Sequence, residues 1–111
     1  MGQFGAADNI PDLLVHGPGD MKQNHAIIEI KKCELTKEGI QKDVKTFATF
    51  LSEGVGYERG IYLVFGDQIA DDRRQQMREE VVRVRPRQPI ELWHHARVGE
   101  SAAQIELLRV V

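Results

Sequence analysis

A charged pair interrupts an otherwise apolar β-strand near the start of the chain. The segment from residue 26 to residue 31 has the sequence Ala-Ile-Ile-Glu-Ile-Lys. Because side chains alternate between the two faces of a strand, Glu29 and Lys31 share one face while Ile28 and Ile30 share the other. This pattern predicts a strand in the interior of a sheet that holds a carboxylate and an ammonium group side by side.

A second short strand comes before this one and has an acidic residue at its start. Residues 12–16 have the sequence Asp-Leu-Leu-Val-His and follow a proline, which is typical of a strand. The turn sequence Gly-Pro-Gly-Asp at 17–20 begins the connection to the next strand. Two strands joined by a loop of about eight residues predict an antiparallel hairpin. In such a hairpin Asp12 and Glu29 lie within reach of one metal ion.

An amphipathic helix and a further strand follow the hairpin. Thr36 can cap a helix, and an apolar stripe runs along it from Ile40 to Leu51. We expect this helix to end near Glu53, with Gly54 as its C-terminal stop. The continuous apolar run at 61–65 predicts a strand that is buried on both faces.

The second half of the chain predicts one more helix and two more strands. A mostly charged helix is expected over 70–84 from an incomplete apolar stripe at Ala70, Met77, Val81 and Val82. Prolines at positions 86 and 89 end it. The alternating segment 90–95 predicts a half-buried strand, and the tail 104–111 predicts an edge strand or an interface element. The order is then strand, strand, helix, strand, helix, strand, strand, which favours a mixed sheet with helices packed on it.

Length, charge and cysteine content limit the classes of function. A chain of 111 residues predicts one domain. Its net charge of -2 argues against a surface that binds nucleic acid on all sides, although a local basic patch is compatible with it. No run of about 18 apolar residues occurs, so we expect no membrane partner. The single cysteine, Cys33, is typical of a reducing compartment, and we expect a cytoplasmic protein.

The residues Pro11-Asp12 and Glu29-Ile30-Lys31, together with the element order, resemble the PD-(D/E)XK nuclease superfamily. The likeness covers about residues 11–66 and implies an α/β fold: a restriction-endonuclease-like mixed β-sheet flanked by helices, in hairpin-helix-strand-helix-strand order. Members of the family commonly have a helix before the first motif strand. We therefore expect residues 1–111 to be a single endonuclease-like domain without that helix, either a minimal form or a fragment of a longer protein.

The same resemblance implies a role for each motif residue. Asp12 and Glu29 resemble the carboxylates that bind Mg²⁺, or Mn²⁺ in its place, with the carbonyl group of Ile30 beside the metal. Lys31 resembles the lysine that orients or activates the attacking water. The implied function is metal-dependent hydrolysis of phosphodiester bonds in DNA by a Mg²⁺-dependent endodeoxyribonuclease, with Asp12, Glu29 and Lys31 as its catalytic residues and DNA as its partner.

Two other interpretations stay open at this stage. A catalytically inactive module with a nuclease fold would bind nucleic acid or protein without turnover, and it predicts a homodimer or a partner complex through the apolar C-terminal strand. An unrelated small α/β domain with a coincidental motif predicts that the carboxylates of Asp12 and Glu29 lie far apart.

Two further sets of polar residues could belong to a nuclease site. Gln41 and Lys45 lie one turn apart on the first helix and are candidates to face the site, with the solvated side of the helix as the alternative. Arg74 and Arg78 lie one turn apart on the second helix and could contact phosphates. The acidic residues around these arginines favour a solvated, salt-bridged helix instead.

Overall fold

The chain forms one five-stranded sheet with two helices in the part that the structure describes, residues 12–16 and 24–110 of a computed structural model. In chain order the elements are β1 (Leu13–His16), β2 (Asn24–Lys32), α1 (Lys37–Phe50), β3 (Arg59–Phe65), α2 (Asp71–Val84), β4 (Ile90–His95) and β5 (Ala103–Leu108). This order is the predicted one. Pro11 and the turn sequence at 17–20 lie outside the described residues.

The sheet is mixed, and its strands lie side by side in chain order. β1 pairs antiparallel with β2, β2 and β3 pair in parallel, β3 and β4 pair in parallel, and β5 returns antiparallel along β4. The predicted hairpin and the interior position of the Glu29 strand are therefore confirmed. α1 connects β2 to β3 and α2 connects β3 to β4, so both crossovers advance in the same direction across the sheet. Because such crossovers share one hand, both helices pack on the same face.

The core lies between this covered face and the two helices. Ile27, Tyr62 and Leu92 contribute fully buried side chains from three neighbouring strands, and Phe47 and Met77 meet them from α1 and α2. A close approach between α1 and β3 depends on glycine, since a Cβ atom at residue 60 would lie 2.9 Å from the Phe47 ring.

The opposite face of the sheet carries mostly apolar side chains and is only partly buried in the described part of the chain. β3 shows this directly, because its even-numbered residues Tyr62 and Val64 are fully buried while Ile61 and Leu63 on the other face are only half-buried. The prediction that residues 61–65 are buried on both faces is therefore wrong. The cause is the placement of both helices on one side of the sheet.

The ends of the helices agree with the sequence at three of four positions. Thr36 caps α1, and its Oγ1 accepts a 3.0 Å hydrogen bond from Gly39 N. α2 spans almost the whole expected range. α1, however, ends at Phe50 and not near Glu53, and the left-handed residue that turns the chain towards β3 is Gly56, with φ of 84°. Neither helix in this part of the chain is long and apolar enough to cross a membrane.

Candidate functional site

Three carboxylates, one lysine and one tyrosine meet on the covered face of the sheet, where β1 begins. Asp12 directly precedes β1, Glu29 and Lys31 come from β2, Asp43 comes from α1 and Tyr62 comes from β3. The three carboxylates are close enough for the negative charges of Asp43 and Asp12 to raise the pKa of Glu29. The fold therefore gathers residues that lie up to 50 positions apart in the chain, from Asp12 to Tyr62.

Asp12 is bound to β2 by two hydrogen bonds, one to the backbone of Ile30 and one to the side chain of Glu29. The pairing of Leu13 with Ile28 places Asp12 beside Glu29 at the start of the hairpin. Oδ2 of Asp12 accepts a 2.7 Å hydrogen bond from Ile30 N, and the Asp12 N–H donates to the Glu29 carboxylate. The hairpin thus holds together the two carboxylates that the motif singled out, and Lys31 follows on the same strand face.

Glu29 is buried, and one of its oxygens lacks a donor. The residue is 3% exposed, and its Oε2 is the one buried side-chain oxygen or nitrogen without a hydrogen-bond partner in the described ranges. Burial, followed by the charges of Asp43 and Asp12, raises the pKa of Glu29 to about 8, although Lys31 and the Asp12 N–H act in the opposite direction. Buried polar atoms nearly always have a partner, so this oxygen marks a place for a proton or a cation.

Asp43 contacts both Tyr62 and Lys31. The Tyr62 hydroxyl donates a 2.6 Å hydrogen bond to Oδ2 of Asp43, and Nζ of Lys31 lies 3.5 Å from Oδ1. Burial raises the pKa of Asp43, while the hydrogen bond from Tyr62 and the charge of Lys31 act to lower it. Burial and the Asp43 charge also raise the pKa of the Tyr62 phenol, so its proton stays on the phenol.

The sequence interpretation missed Asp43 and named Gln41 and Lys45 on the same helix. Gln41 donates a hydrogen bond to Glu80 of α2, and Lys45 is exposed. Asp43 lies three residues after Ile40 and four before Phe47, which places it within the buried stripe. A carboxylate within the apolar stripe of a helix is the sequence feature that could have identified it.

Arg74 and Arg78 of α2 face the edge strand β5 and not the site. Arg74 and Arg78 both donate to the carboxylate of Glu106 on β5, at 2.8 Å and 2.6 Å for the shortest bond of each. Both guanidinium groups are therefore engaged in ion pairs within the fold, and the one carboxylate balances half of their charge. The structure agrees with the salt-bridged helix that the acidic residues around these positions favour.

A cavity of about 250 Å³ opens beside the cluster. Its wall includes Lys31 and Asp43 from the site, together with Lys32 and the first turn of α1 at Thr36 and Gly39. The lysine of the motif therefore borders both the buried carboxylate of Asp43 and the open space of the cavity.

The donor atoms of the cluster suit a hard divalent cation. Mg²⁺ prefers carboxylate oxygens and is commonly bound through one or two carboxylates, with water and substrate completing its shell. Asp12 and Glu29 supply two such groups, and the unpartnered Oε2 of Glu29 is free to accept a cation. Within residues 12–16 and 24–110, no group of three or more His, Cys, Asp or Glu side chains is arranged to hold a metal ion. A cation here would therefore be held by two carboxylates and completed by other oxygens.

Comparison with known proteins gave no match to a family model, to a curated protein or to a solved structure.

Proposed function

We propose that the chain is a Mg²⁺-dependent nuclease domain of the PD-(D/E)XK type that hydrolyses phosphodiester bonds in DNA. The observation that carries the proposal is Glu29 Oε2, a buried carboxylate oxygen without a donor. It lies in the carboxylate that receives the Asp12 N–H, two residues before Lys31. A cation at this oxygen would compensate the burial of the charge, which otherwise favours the protonated carboxyl group.

Each residue has a role that follows from its position. Asp12 and Glu29 would hold the cation, with the carbonyl group of Ile30 as a further oxygen. A bound Mg²⁺ would polarise the phosphodiester and stabilise the charge that develops on it. Lys31 borders the cavity and carries a compact positive charge, so it can hold the attacking water or the phosphate oxygens by hydrogen bonds.

The arrangement of the elements supports a restriction-endonuclease-like fold. An antiparallel hairpin carries Asp12 on one side and Glu29-Ile30-Lys31 on the other, and a helix and a parallel strand follow it. The PD-(D/E)XK superfamily has the same succession of hairpin, helix and strand.

A cleavage assay tests this proposal. Duplex and single-stranded DNA would be incubated with the chain in Mg²⁺, in Mn²⁺ or in EDTA, and product would be measured over time. We expect cleavage in the two metals and none in EDTA, with a loss of at least about 100-fold in Glu29→Gln and in Lys31→Gln. Two exposed residues outside the site, Glu53 and Lys45, provide matched controls as Glu53→Gln and Lys45→Gln, which should cleave like the wild type. Equal cleavage by Glu29→Gln would contradict the proposal.

The inactive module remains the second candidate, and one observation favours it. Leu13, Ile30, Phe65 and Leu107 lie on the sheet face opposite the helices, and they are 48%, 41%, 41% and 40% exposed in the described structure. A partner such as a second copy of the chain would bury them. This candidate predicts a dimer in light scattering and no metal-dependent cleavage. A monomer that cleaves DNA would exclude it.

A further inference from the structure

A buried carboxylate lies behind the lysine of the motif and is not one of the proposed metal ligands. Asp43 is 4% exposed, and its two oxygens contact different partners. Oδ2 accepts the hydroxyl proton of Tyr62 at 2.6 Å, and Oδ1 lies 3.5 Å from Nζ of Lys31. Asp43 therefore links a core side chain to the charged group that borders the cavity.

The charge of Asp43 is not needed to satisfy Tyr62. A buried tyrosine hydroxyl requires one acceptor, and a neutral side-chain or backbone carbonyl would supply it at a lower cost of desolvation. A carboxylate within the apolar stripe of α1 costs more, and that cost is reduced only where a cation lies near. Lys31 is the cation that forms an ion pair with Asp43. The negative charge is therefore explained by Lys31 and not by Tyr62.

Tyr62 fixes where that charge lies. Its side chain is fully buried, and its ring packs against Phe47 of α1 with the ring centroids 5.5 Å apart. A phenol held in this way leaves Asp43 little freedom to rotate. Lys31, in contrast, has a flexible stem and a side chain that is 40% exposed, so many orientations would be open to it without a fixed partner.

We infer that Asp43 is a positioning residue of the proposed nuclease site, which Tyr62 anchors in the core and which holds the ammonium group of Lys31 beside the Asp12 and Glu29 carboxylates. This inference rests on the proposed function and adds a residue to it. Asp43 acts through Lys31 and is not a metal ligand, because both of its oxygens already face protein donors.

A double-mutant cycle on cleavage tests the inference. Asp43→Asn and Lys31→Gln should each lower kcat by about 100-fold, with KM changed less than about twofold. The double variant should be no slower than Lys31→Gln alone, because Asp43 acts only through Lys31. Tyr62→Phe should lower kcat by about fivefold, the worth of one hydrogen bond. Losses that multiply in the double variant would overturn the inference.

A structural control separates positioning from support of the fold. Thr46 is another buried polar residue of α1, and its hydroxyl bonds to the backbone oxygen of Lys42. Thr46→Val should leave kcat within about twofold of the wild type. Binding of Mn²⁺ gives a second check, since Asp43→Asn should keep the affinity within about threefold while Glu29→Gln loses at least about 30-fold. An equal loss in Asp43→Asn would make Asp43 a ligand and would overturn the inference.

A measurement without substrate keeps the inference separate from the proposed function. In the ¹⁵N-labelled chain, protons of the Lys31 ammonium group should exchange with water about tenfold more slowly than those of exposed Lys45, and Asp43→Asn should abolish the difference. Protection that persists in Asp43→Asn would overturn the inference. If the wild type cleaves no DNA, the proposed function fails, and this exchange measurement still decides whether Asp43 positions Lys31.

Discussion

Oδ2 of Asp12 accepts a 2.7 Å hydrogen bond from the backbone N–H of Ile30, the residue directly after Glu29. A hydrogen bond thus holds Asp12, the residue before β1, against the middle residue of the motif on β2. One side chain serves both the pairing of the hairpin and the proposed metal site, so stability and metal binding can be separated by the choice of substitution.

Asp12 offers the first prediction. Asp12→Ala removes the acceptor for Ile30 N and should lower the free energy of unfolding by about 1 kcal/mol. Asp12→Asn keeps an acceptor oxygen, so it should retain most of that stability while it loses the charge that a cation requires. Urea denaturation and Mn²⁺ binding, measured on both variants, check this. Equal metal affinity in Asp12→Asn and the wild type would count against Asp12 as a ligand.

The raised pKa of Glu29 predicts how stability depends on pH without metal. Its folded pKa of about 8 exceeds the ordinary value of 4.5, so the folded chain binds this proton more tightly than the unfolded chain. The contribution of the Glu29 proton to the free energy of unfolding is full below pH 4.5 and is lost as the pH rises through 8. From pH 5 to pH 8 the free energy of unfolding should fall by about 3 kcal/mol.

The variant Glu29→Gln isolates the effect of Glu29 on the pH dependence of stability. Glu29→Gln carries no titrating group at this position, so most of the fall between pH 5 and pH 8 should disappear. The raised pKa of Asp43 acts with the same sign in both proteins. Urea denaturation in EDTA at the two pH values measures both proteins. Identical pH dependence in wild type and variant would show that Glu29 titrates at its ordinary pKa.

The contact between α1 and β3 gives a prediction about packing. A Cβ atom at Gly60 would lie 2.9 Å from the Phe47 ring and 3.1 Å from Leu51, so Gly60→Ala should lower the free energy of unfolding by about 1–3 kcal/mol. Gly54→Ala is the control, because nothing lies within 4 Å of a Cβ atom there. If thermal unfolding shows the same stability for the two variants, α1 does not pack tightly on β3 at residue 60.

Local patterns predicted most of the elements because each pattern reflects burial on one side. Alternation in residues 26–31 and the stripe from Ile40 to Leu51 identified β2 and α1, and the Thr36 cap was confirmed. The side of the sheet that each helix covers depends on the direction of successive crossovers. The exposure of the second face of β3 was therefore not visible in the apolar run at 61–65.

The sequence predicted only those site residues that lie on one local element of the chain. Asp12, Glu29 and Lys31 lie on one hairpin, and strand alternation placed the last two on one face. Asp43 and Tyr62 join them only when α1 packs on the sheet and β3 pairs with β2. Both lie within apolar patterns that suggested core, so the chemistry of these two residues depends on tertiary contacts.

Titration of the chain with Mn²⁺ at pH 8, followed by calorimetry, tests the central claim most directly. The account predicts one ion per chain and release of protons on binding, because a cation displaces the proton from Glu29. Glu29→Gln and Asp12→Asn should bind at least about 30-fold more weakly, while Glu53→Gln should bind like the wild type. Absence of binding, or an equal affinity in Glu29→Gln, would contradict the account.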